Sequence, residues 1–362
     1  DYLDLHALEL MSGILEREED IGLVFPDYYL VDAEGQVLEM VRRHDFDEVT
    51  FMDQPAHGAC TMIRRELLES LEGYDESFRC QDGWDLWLRF IQHHQVKNVN
   101  LPLFYYRQHG TNLTSNEERL LSTRAEILRK VADSQEKQLK CIAIIPVRGR
   151  TTDPHSIALK ELAGKPLIDW TIDAALKAKC ITDVVVSSPD ENILKHVADA
   201  YGDRVRAVTR DWKAALPNTS IDETLTDIFV QHLPEERRNF DAVGVLFVES
   251  PFRKAKYFDM AADFMQLFSA DRVIGVRPDS STFYQHDGNG LQPLKRDKRL
   301  KLEKEELFRE AGNMIMIRRG HFLRTAMDSQ ERVGHVVLTE KAALSIDSQW
   351  EWDIAEMLVN QR

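Results

Sequence analysis

Two arginines and a lysine follow an apolar run that we predict to be a buried strand, residues 141–147. Arg148, Gly149 and Arg150 come directly after this strand, and Lys160 follows a short loop. A glycine allows the backbone to approach a ligand closely, and guanidinium and amide groups bind phosphate oxygens. The pattern predicts a loop that binds a polyphosphate. Taken alone, it fits equally well a strand-to-helix turn whose arginines are solvated.

Further candidate ligands lie later in the chain. Ser250 and Arg253 follow a second apolar strand predicted at 243–248, and Arg253 there is either a ligand contact or one half of a surface ion pair. Asp347 precedes the last predicted helix, so its carboxylate either binds a metal ion or caps that helix. The residues alone leave both alternatives open.

One carboxylate in the first part of the chain has a setting that suits catalysis. Asp82 stands at the start of a predicted tryptophan-rich helix, residues 82–93, close to Trp84 and Trp87. A carboxylate at that position can act as a general base, and the aromatic rings can stack on a sugar. The alternative is that Asp82 only caps the helix and that the tryptophans belong to the core.

The elements that position the later candidates alternate regularly. Apolar runs of about five residues alternate with helices of about a dozen, which is typical of a parallel sheet covered by helices on both faces. Such a sheet binds ligands beyond the carboxyl ends of its strands. We predict strands at 141–147, 183–188, 204–208, 243–248 and 272–276, and helices at 167–178, 190–201, 221–233 and 255–268.

The first part of the chain has a different order of elements. We predict a helix from Leu5 to Leu15, then strands at 21–25, 28–31, 37–41, 60–63 and 96–106, with a short helix that ends at Gly73. Residues 117–138 contain no glycine or proline and carry a partial apolar stripe, so they form a helical linker. The predicted domains are therefore 1–116 and 139–362, joined by 117–138.

The composition excludes several classes of protein. The chain has 362 residues, with 46 Lys and Arg against 61 Asp and Glu and a net charge of −15. Its acidic residues are concentrated in 1–116, which disfavours binding to nucleic acid or to anionic membranes. We expect neither a membrane span nor Sec-type secretion, because no apolar run reaches ~18 residues. The four cysteines lack metal-ligand spacing, which indicates reduced thiols and a cytoplasmic location.

Three ordered blocks of the later part resemble the acylneuraminate cytidylyltransferases, the CMP-sialic acid synthetase family. The first runs from Arg148 through L-A-G-K-P-L-I at 162–168, the second is S-P-F-R at 250–253, and the third is I-D-S-Q-W-E-W-D-I-A-E at 346–356. The resemblance covers 141–362 and implies a Rossmann-like nucleotidyltransferase fold. It also implies that the substrates are CTP and an acidic sugar.

The resemblance assigns roles to the candidates. A sugar hydroxyl would attack the α-phosphorus of CTP in line while pyrophosphate leaves. Mg²⁺ held by Asp347 would neutralise developing charge, and the leaving pyrophosphate would be clamped by Arg148, Arg150 and Lys160. The remaining residues implied in nucleotide binding are Gly149, Arg210, Ser250 and Arg253.

Several positions depart from the pattern of that family. Thr152 and Ile157 stand where the family has lysines, Ala158 replaces an asparagine, and Arg150 replaces the second glycine of the loop. Later, Phe247 and Glu249 replace a glutamine and a threonine, and Ser345 replaces the first of two metal-binding aspartates. The loss of lysine at 152 and 157 favours an alternative to the enzyme, whereas the enzyme is favoured by the retained residues Arg148, Ser250, Arg253 and Asp347. In that alternative, the domain is a catalytically weakened nucleotide-sugar-binding or dimerisation module that serves an attached glycosyltransferase.

The first part resembles the C-terminal half of inverting family 2 glycosyltransferases of the GT-A type. The resemblance rests on four blocks: G-A-C-T at 58–61, G-Y-D-E-S-F at 73–78, Q-D-G-W-D-L-W at 81–87 and Y-Y-R-Q-H at 105–109. It implies that Asp82 is the general base, and that Asp1 and His109 approach a metal ion, Mg²⁺ or Mn²⁺. Because Asp1 resembles the last acid of a D-x-D motif, we expect the nucleotide-binding strands to precede residue 1. The present chain alone should therefore not transfer sugar.

Together these patterns predict an α/β protein of bacterial surface-glycan synthesis. A partial GT-A domain would be fused to a cytidylyltransferase domain that makes a CMP-activated acidic sugar. In a longer parent, the first domain would use a nucleotide-sugar donor and a glycan acceptor. We expect no nucleic-acid partner and a homodimer formed through the second domain. A nucleotidyltransferase that uses UTP or another sugar is a further alternative.

Overall fold

The computed structural model describes residues 1–41, 60–78, 80–107, 117–133, 138–216, 221–229, 239–279, 281, 283–286, 288, 290–293, 307–322 and 331–360. The chain divides into two compact units. The first comprises Asp1–Ile127 with Pro278–Leu307, and the second comprises Leu128–Arg277 with Phe308–Arg362. Each unit has its own sheet.

The first unit is built on a mixed five-stranded sheet. Its strands run in the order β1-β5-β2-β3, and β4 also pairs with β2. The pair β2/β5 is parallel, whereas β1/β5, β2/β3 and β2/β4 are antiparallel. In chain order the elements are β1 (Tyr2–Leu3), α1 (Ala7–Arg17), β2 (Ile21–Val31), β3 (Val37–Val41), β4 (Met62–Ile63), α2 (Arg65–Ser70), α3 (Asp82–Ile91), β5 (Gln95–Arg107) and the start of α4 (Glu117–Asp133).

The core of this unit forms because α1 buries one face against the sheet. Ala7, Met11 and Leu15 recur at helical spacing and pack with Val24 of β2 and Phe104 of β5. The predicted helices and strands are present, with one difference. Residues 21–31 form one continuous strand rather than two, since parallel pairing with β5 continues past Pro26.

The second unit is an α/β fold around a seven-stranded sheet. Its elements are β6 (Cys141–Pro146), β7 (Glu161–Leu162), β8 (Lys165–Pro166), α5 (Leu167–Leu176), β9 (Ile181–Ser188), α6 (Glu191–Tyr201), β10 (Arg206–Thr209), α7 (Ile221–Asp227), β11 (Ala242–Leu246), α8 (Ala255–Leu267) and β12 (Arg272–Asp279). A small ribbon, β13 (Tyr284–His286) and β14 (Leu291–Pro293), follows β12 in the chain and belongs to the first unit. The last elements are β15 (Leu307–Arg318), α9 (Arg319–Phe322), β16 (Val333–Val337), α10 (Glu340–Ala343) and α11 (Gln349–Asn360).

The sheet order is β10-β9-β6-β11-β15-β12-β16. The four strands β10, β9, β6 and β11 are mutually parallel, as the alternation of strands and helices predicts. β15 then pairs antiparallel to β11, so the sheet is mixed. Neither β15 nor β16 was among the predicted strands. The α/β class is confirmed, and the GT-A assignment of the first unit stays a prediction.

Alternating residues of β6 bury both faces of the sheet. Ile142 and Ile144 pack with Leu225 and Ile228 on one side. Ala143 and Ile145 point to the other side and are fully buried as well. A strand buried on both faces reads as a continuous apolar run, which is the pattern that predicted it.

The division between the units differs from the predicted limits. The first unit continues to Ile127, within α4, and it also takes up residues 278–307. The limits 1–116, 117–138 and 139–362 therefore stay a prediction for the evolutionary domains. Among the described residues no helix has the length and apolarity needed to cross a membrane. All four cysteines are free and buried.

Candidate functional site

A cleft of about 740 Å³ lies at the carboxyl edge of the second sheet. Its walls come from the segments that follow β6, β10 and β11, from the middle of β15, and from the residues that lead into α11. This is the edge at which an open parallel sheet binds ligands.

The cleft brings together four of the predicted residues. Arg148, Lys160, Arg210 and Asp347 all line it, although they come from distant parts of the sequence. Gly149, Arg150, Ser250 and Arg253 do not belong to its lining. The second group therefore needs a separate account.

Gly149 and Asp190 form the support of the loop after β6. Gly149 has φ +71°, and a Cβ atom there would lie 2.3 Å from Cβ of Asp190. The buried Asp190 caps α6 through Asn192 N and accepts a hydrogen bond from Arg150 N at 2.9 Å. Gly149 is thus required by packing against a buried carboxylate, a reason that the sequence pattern did not indicate.

The loop itself is held by a residue that departs from the family pattern. The Thr152 hydroxyl donates to the carbonyl oxygen of Arg148 at 2.7 Å. Both Arg148 and Arg150 have exposed side chains. Ile157, at another departing position, packs against the apolar cluster that contains Leu162. Where the family has lysines, this chain therefore stabilises the loop instead of adding charge.

Lys160 lies on an aromatic ring. Its Nζ is 3.6 Å from the centroid of the Trp352 ring, a cation–π geometry. Trp352 is 2% exposed and its Nε1 donates to Glu356 at 2.9 Å. The cation and the ring both border the cleft.

Arg210 closes the β10 end of the cleft. It is 4% exposed, and its guanidinium donates to Thr224 Oγ1 and to the Val147 carbonyl, both at 3.4 Å. Beside it the wall is formed by the small or apolar residues Ala214 and Leu216. A fixed guanidinium next to an apolar wall suits the binding of a planar, polar group such as a nucleobase.

Arg253 has a position that neither alternative from the sequence described. It is 3% exposed, and its guanidinium donates to the carbonyl oxygens of Phe247, Ser250, Gly312 and Asn313 and to Thr171 Oγ1. Burial lowers its pKa to about 9, partly opposed by the charge of Glu249.

The alternative of a surface ion pair for Arg253 is therefore wrong, because its guanidinium is buried behind the cleft wall. It ties the end of β11 to β15 and α5. Ser250 is also fully buried, and its Oγ has no hydrogen-bond partner within the described part of the chain. The roles of Ser250 and Arg253 in nucleotide binding stay predictions that their positions do not favour.

Asp347 is exposed in the cleft and does not cap α11. The cap is Ser348, whose Oγ accepts from Trp350 N at 3.2 Å and whose carbonyl accepts from Trp352 N at 3.1 Å. Asp347 Oδ1 instead accepts a hydrogen bond from Ser345 Oγ at 3.2 Å. The capping alternative for Asp347 is therefore wrong.

Glu249 is a cleft residue that sequence reasoning missed. Burial raises the pKa of its carboxyl, and the negative charge of Asp347 raises it further, while Arg253 and Arg148 act in the opposite direction. The carboxyl of Glu249 is therefore influenced by two charged groups of the cleft, Asp347 and Arg148, and by the buried Arg253 behind its wall. The only signal in the sequence was its position directly before Ser250, where we noted Glu249 merely as a departure.

Three carboxylates line the cleft, those of Asp153, Glu249 and Asp347. Glu249 and Asp347 face one cleft, and carboxylate oxygens are ligands that Mg²⁺ prefers. Within the described ranges, no three His, Cys, Asp or Glu side chains form a group that could hold a metal ion by themselves. Glu249 and Asp347 alone would leave most coordination positions of a bound Mg²⁺ to other ligands.

A family comparison supplies the decisive observation for this unit. Residues 142–214 match the family model for cytidylyltransferases. The second unit contains a cytidylyltransferase family domain. The matched residues run from β6 through Arg148, Lys160 and Arg210, so they include three of the cations that line the cleft.

Known proteins resemble the cytidylyltransferase domain at moderate identity. The CMP-N,N'-diacetyllegionaminic acid synthase of Legionella pneumophila is 25% identical over 227 residues, which are 61% of this chain and 97% of that protein. The pseudaminic acid cytidylyltransferase of Campylobacter jejuni is 30% identical over 161 residues, 42% of this chain and 66% of that protein. The solved structure of a CMP:2-keto-3-deoxy-manno-octonic acid synthetase complexed with CTP has a TM-score of 0.45 and 17% identity, covering 61% of this chain and 99% of that one.

The family match at 142–214 lies outside the first unit, which contains the predicted general base Asp82. Asp82 is exposed at the first residue of α3, and its negative charge contributes to the raised pKa of Tyr74. The preceding residue, Gln81, has φ +61° and its Oε1 accepts from Arg124 Nε at 3.0 Å. A non-glycine residue with a positive φ carries backbone strain, and the hydrogen bond between the Gln81 side chain and Arg124 helps to hold this conformation.

The neighbouring tryptophans differ from each other. Trp87 is buried and packs edge-on against Phe25, so it belongs to the core. Trp84 is half-buried, with the Arg124 guanidinium 5.6 Å from its ring centroid. Only Trp84 retains an exposed part that is suited to a ligand.

Of the two predicted metal ligands of this unit, Asp1 and His109, only Asp1 lies among the described residues. Asp1 Oδ1 accepts a hydrogen bond from Arg107 N at 2.8 Å, at the edge where β1 pairs with β5. His109 lies outside the described residues. The metal role of both residues stays a prediction.

Proposed function

We propose that the second unit transfers a cytidylyl group from CTP to an acidic sugar. The observation that carries the proposal is the cytidylyltransferase match at 142–214, because it contains the cations that line one cleft. The acceptor class follows from the relatives, which are named for legionaminic and pseudaminic acids. The proposed context is bacterial surface-glycan synthesis.

Each cleft residue has a task in this reaction. Arg210, beside its apolar wall, would bind the nucleoside end of CTP. Arg148 and Lys160 would bind phosphate oxygens, with Arg150 at the rim of the same loop. The acceptor hydroxyl oxygen forms the new bond to the α-phosphorus and its proton passes to solvent. The bond between the α-phosphorus and the bridging oxygen breaks, and pyrophosphate leaves with its charge balanced by these cations.

Mg²⁺ would be held by Asp347 and Glu249. When bound, the ion neutralises charge that develops on the phosphates. Two hydrogen bonds support these residues: the Ser345 hydroxyl donates to the Asp347 carboxylate, and Ile346 N donates to the backbone carbonyl of Glu249 at 2.9 Å. Glu249 thereby compensates for the metal-binding aspartate that Ser345 replaces.

Pyrophosphate release, measured with CTP, UTP, ATP and GTP against a panel of acidic sugars, tests the proposal. We expect release only with CTP, an acidic sugar and Mg²⁺ together, and a melting temperature that CTP with Mg²⁺ raises. The variant Arg148→Gln should lose this release while its melting temperature without ligand is unchanged. Release with UTP and not with CTP would reject the cytidylyl assignment.

The alternative function is a weakened binding or dimerisation module that serves a glycosyltransferase. It is favoured by Thr152 and Ile157, which supply no charge to the loop. In that case CTP or a CMP-sugar raises the melting temperature, yet no acidic sugar gives turnover. Sedimentation at several concentrations tests the homodimer that we expect from this unit.

For the first unit we infer sugar transfer within a longer parent, with Asp82 as general base and Mg²⁺ or Mn²⁺ as the metal. Its exposed carboxylate after the strained Gln81 supports this role. In the parent, Asp82→Asn should abolish transfer with little change in donor affinity, because a base acts mainly in the transition state. Unchanged transfer by that variant would remove Asp82 from the role.

A further inference from the structure

In the part of the chain that the structure describes, no acidic group neutralises Lys160. Within the described ranges, its ammonium has no carboxylate within 4.0 Å and its one close partner is the Trp352 ring. Lys165 offers the contrast. It lies 5.0 Å from the centroid of the Trp170 ring, but its Nζ is paired with Asp173 at 2.6 Å.

The Trp352 ring cannot follow the lysine if the lysine moves. Trp352 is fixed at its Nε1 by Glu356, at its backbone by Ser348, and around its ring by an apolar cluster that includes Leu162 and Phe252. The backbone of Lys160 is fixed as well, since its N donates to Ile157 O at 2.9 Å and its O accepts from Leu167 N at 3.0 Å. The ammonium is therefore held at a defined point of the cleft.

A π face attracts an ammonium without removing its charge. The ring takes none of the three N–H donors into a full hydrogen bond, whereas a carboxylate would neutralise the group and compete with any anionic ligand. The entropy cost of ordering a long side chain is also met before the ligand arrives. Lys160 on Trp352 thus has the properties of a preorganised anion receptor.

We propose that Trp352 is a positioning residue that holds Lys160 in place as an anion-binding group of the cleft. The group that Lys160 binds carries negatively charged oxygen atoms. It is either the pyrophosphate part of CTP or the carboxylate of the acidic sugar. The choice between these two rests on the proposed function. The coupling of Lys160 to Trp352 in anion binding does not.

A double-mutant cycle tests the proposal by calorimetry, with inorganic pyrophosphate, CTP and 3-deoxy-manno-octulosonate as probes. Lys160→Gln should lower the affinity for one of the anionic probes by about five- to tenfold. Trp352→Leu should weaken the same probe, and it should add nothing when Lys160 is already Gln. Loss with pyrophosphate and CTP identifies the phosphates, and loss with the sugar acid alone identifies the carboxylate.

Two further variants keep the test decisive. Trp352→Phe retains an aromatic face and a core side chain, so it should keep most of the affinity even if the Leu variant unfolds. Lys165→Gln removes the paired lysine and should leave all three probes unchanged. Equal losses from Trp352→Leu with and without Lys160, or no loss from Lys160→Gln, would overturn the proposal. Since pyrophosphate binding needs no turnover, an inactive protein that shows the coupling would reject only the cytidylyl transfer.

Discussion

The side-chain amide of Asn313 donates to the hydroxyl of Ser345 at 2.8 Å. That hydroxyl in turn donates to Asp347 Oδ1. Asn313 is itself fixed, because its backbone carbonyl accepts hydrogen bonds from Phe247 N at 3.1 Å and from the buried guanidinium of Arg253. A chain of hydrogen bonds therefore runs from a buried cation to the exposed carboxylate of the cleft.

The first prediction concerns this chain. Asn313→Gly removes the amide and suits the backbone, which has φ +46° at that position. We expect kcat to fall by about three- to tenfold with little change in CTP affinity, because Asp347 loses its orientation. Steady-state kinetics measure the split between kcat and KM. Ser345→Ala should cause the same loss, and the two changes together should not add. Full additivity would show that Asn313 acts elsewhere.

The second prediction separates chemistry from capping at the start of α11. Asp347→Asn should abolish Mg²⁺-dependent turnover and leave the melting temperature unchanged, because Asp347 does not cap the helix. Ser348→Ala should instead lower the free energy of unfolding by about 1 kcal/mol through loss of the cap. Turnover of Asp347→Asn within twofold of the parent would exclude a metal role. A fall in its melting temperature would restore a structural one.

The parallel part of the second sheet was predictable because its signal is local. β6, β9 and β11 are short apolar runs, and a helix comes later in the chain after each of them. A strand that is buried on both faces must be apolar at successive positions, which makes it recognisable in the sequence. β15 escaped prediction because its pairing partners are distant in sequence. Its middle also contains Gly312 and Asn313, both with positive φ, which interrupt the pattern of a regular strand.

The cleft was only partly predictable for a similar reason. Arg148, Lys160 and Arg210 stand at the ends of predicted strands or in the loops after them, where ligand contacts are expected. An arginine after a strand also reads as a surface residue, and the burial of Arg253 follows only once β15 brings its carbonyl oxygens into range. Glu249 gains its meaning from the nearby Asp347, which is distant in sequence.

The third prediction uses two glycines with similar backbone angles. Gly149→Ala should lower the free energy of unfolding by about 2–4 kcal/mol, because the φ of +71° is unfavourable and the new Cβ overlaps with the buried Asp190. Gly164 has φ +75° with no atom within 4 Å of its added Cβ, so Gly164→Ala should cost only about 1 kcal/mol.

Chemical denaturation measures both variants. CTP affinity should fall for the first one only, since Asp190 also holds Arg150 N. Equal costs at the two positions would show that the contact with Asp190 carries no weight.

The last prediction concerns a buried carboxyl far from the sequence motifs. Asp263 of α8 is almost fully buried and pairs with Arg129 at 3.1 Å. Burial raises its pKa to about 6, and the charge of Arg129 only partly opposes this shift. Since the folded pKa exceeds the ordinary carboxyl pKa of 3.8, the folded state binds more protons than the unfolded state between about pH 4 and pH 6. The contribution of Asp263 to stability is therefore present at low pH and is lost as the pH rises through about 6.

Asp263→Asn removes this dependence, because the amide stays neutral throughout. Relative to the parent, the free energy of unfolding of the variant should increase by roughly 1 kcal/mol between pH 5 and pH 7.5. Urea denaturation at both pH values measures the difference. If Arg129 outweighs burial, the folded pKa lies below the unfolded one, Asp263 is ionised in both states across this range, and the difference between variant and parent stays constant. A constant difference would show that the ion pair, and not desolvation, sets the charge of Asp263.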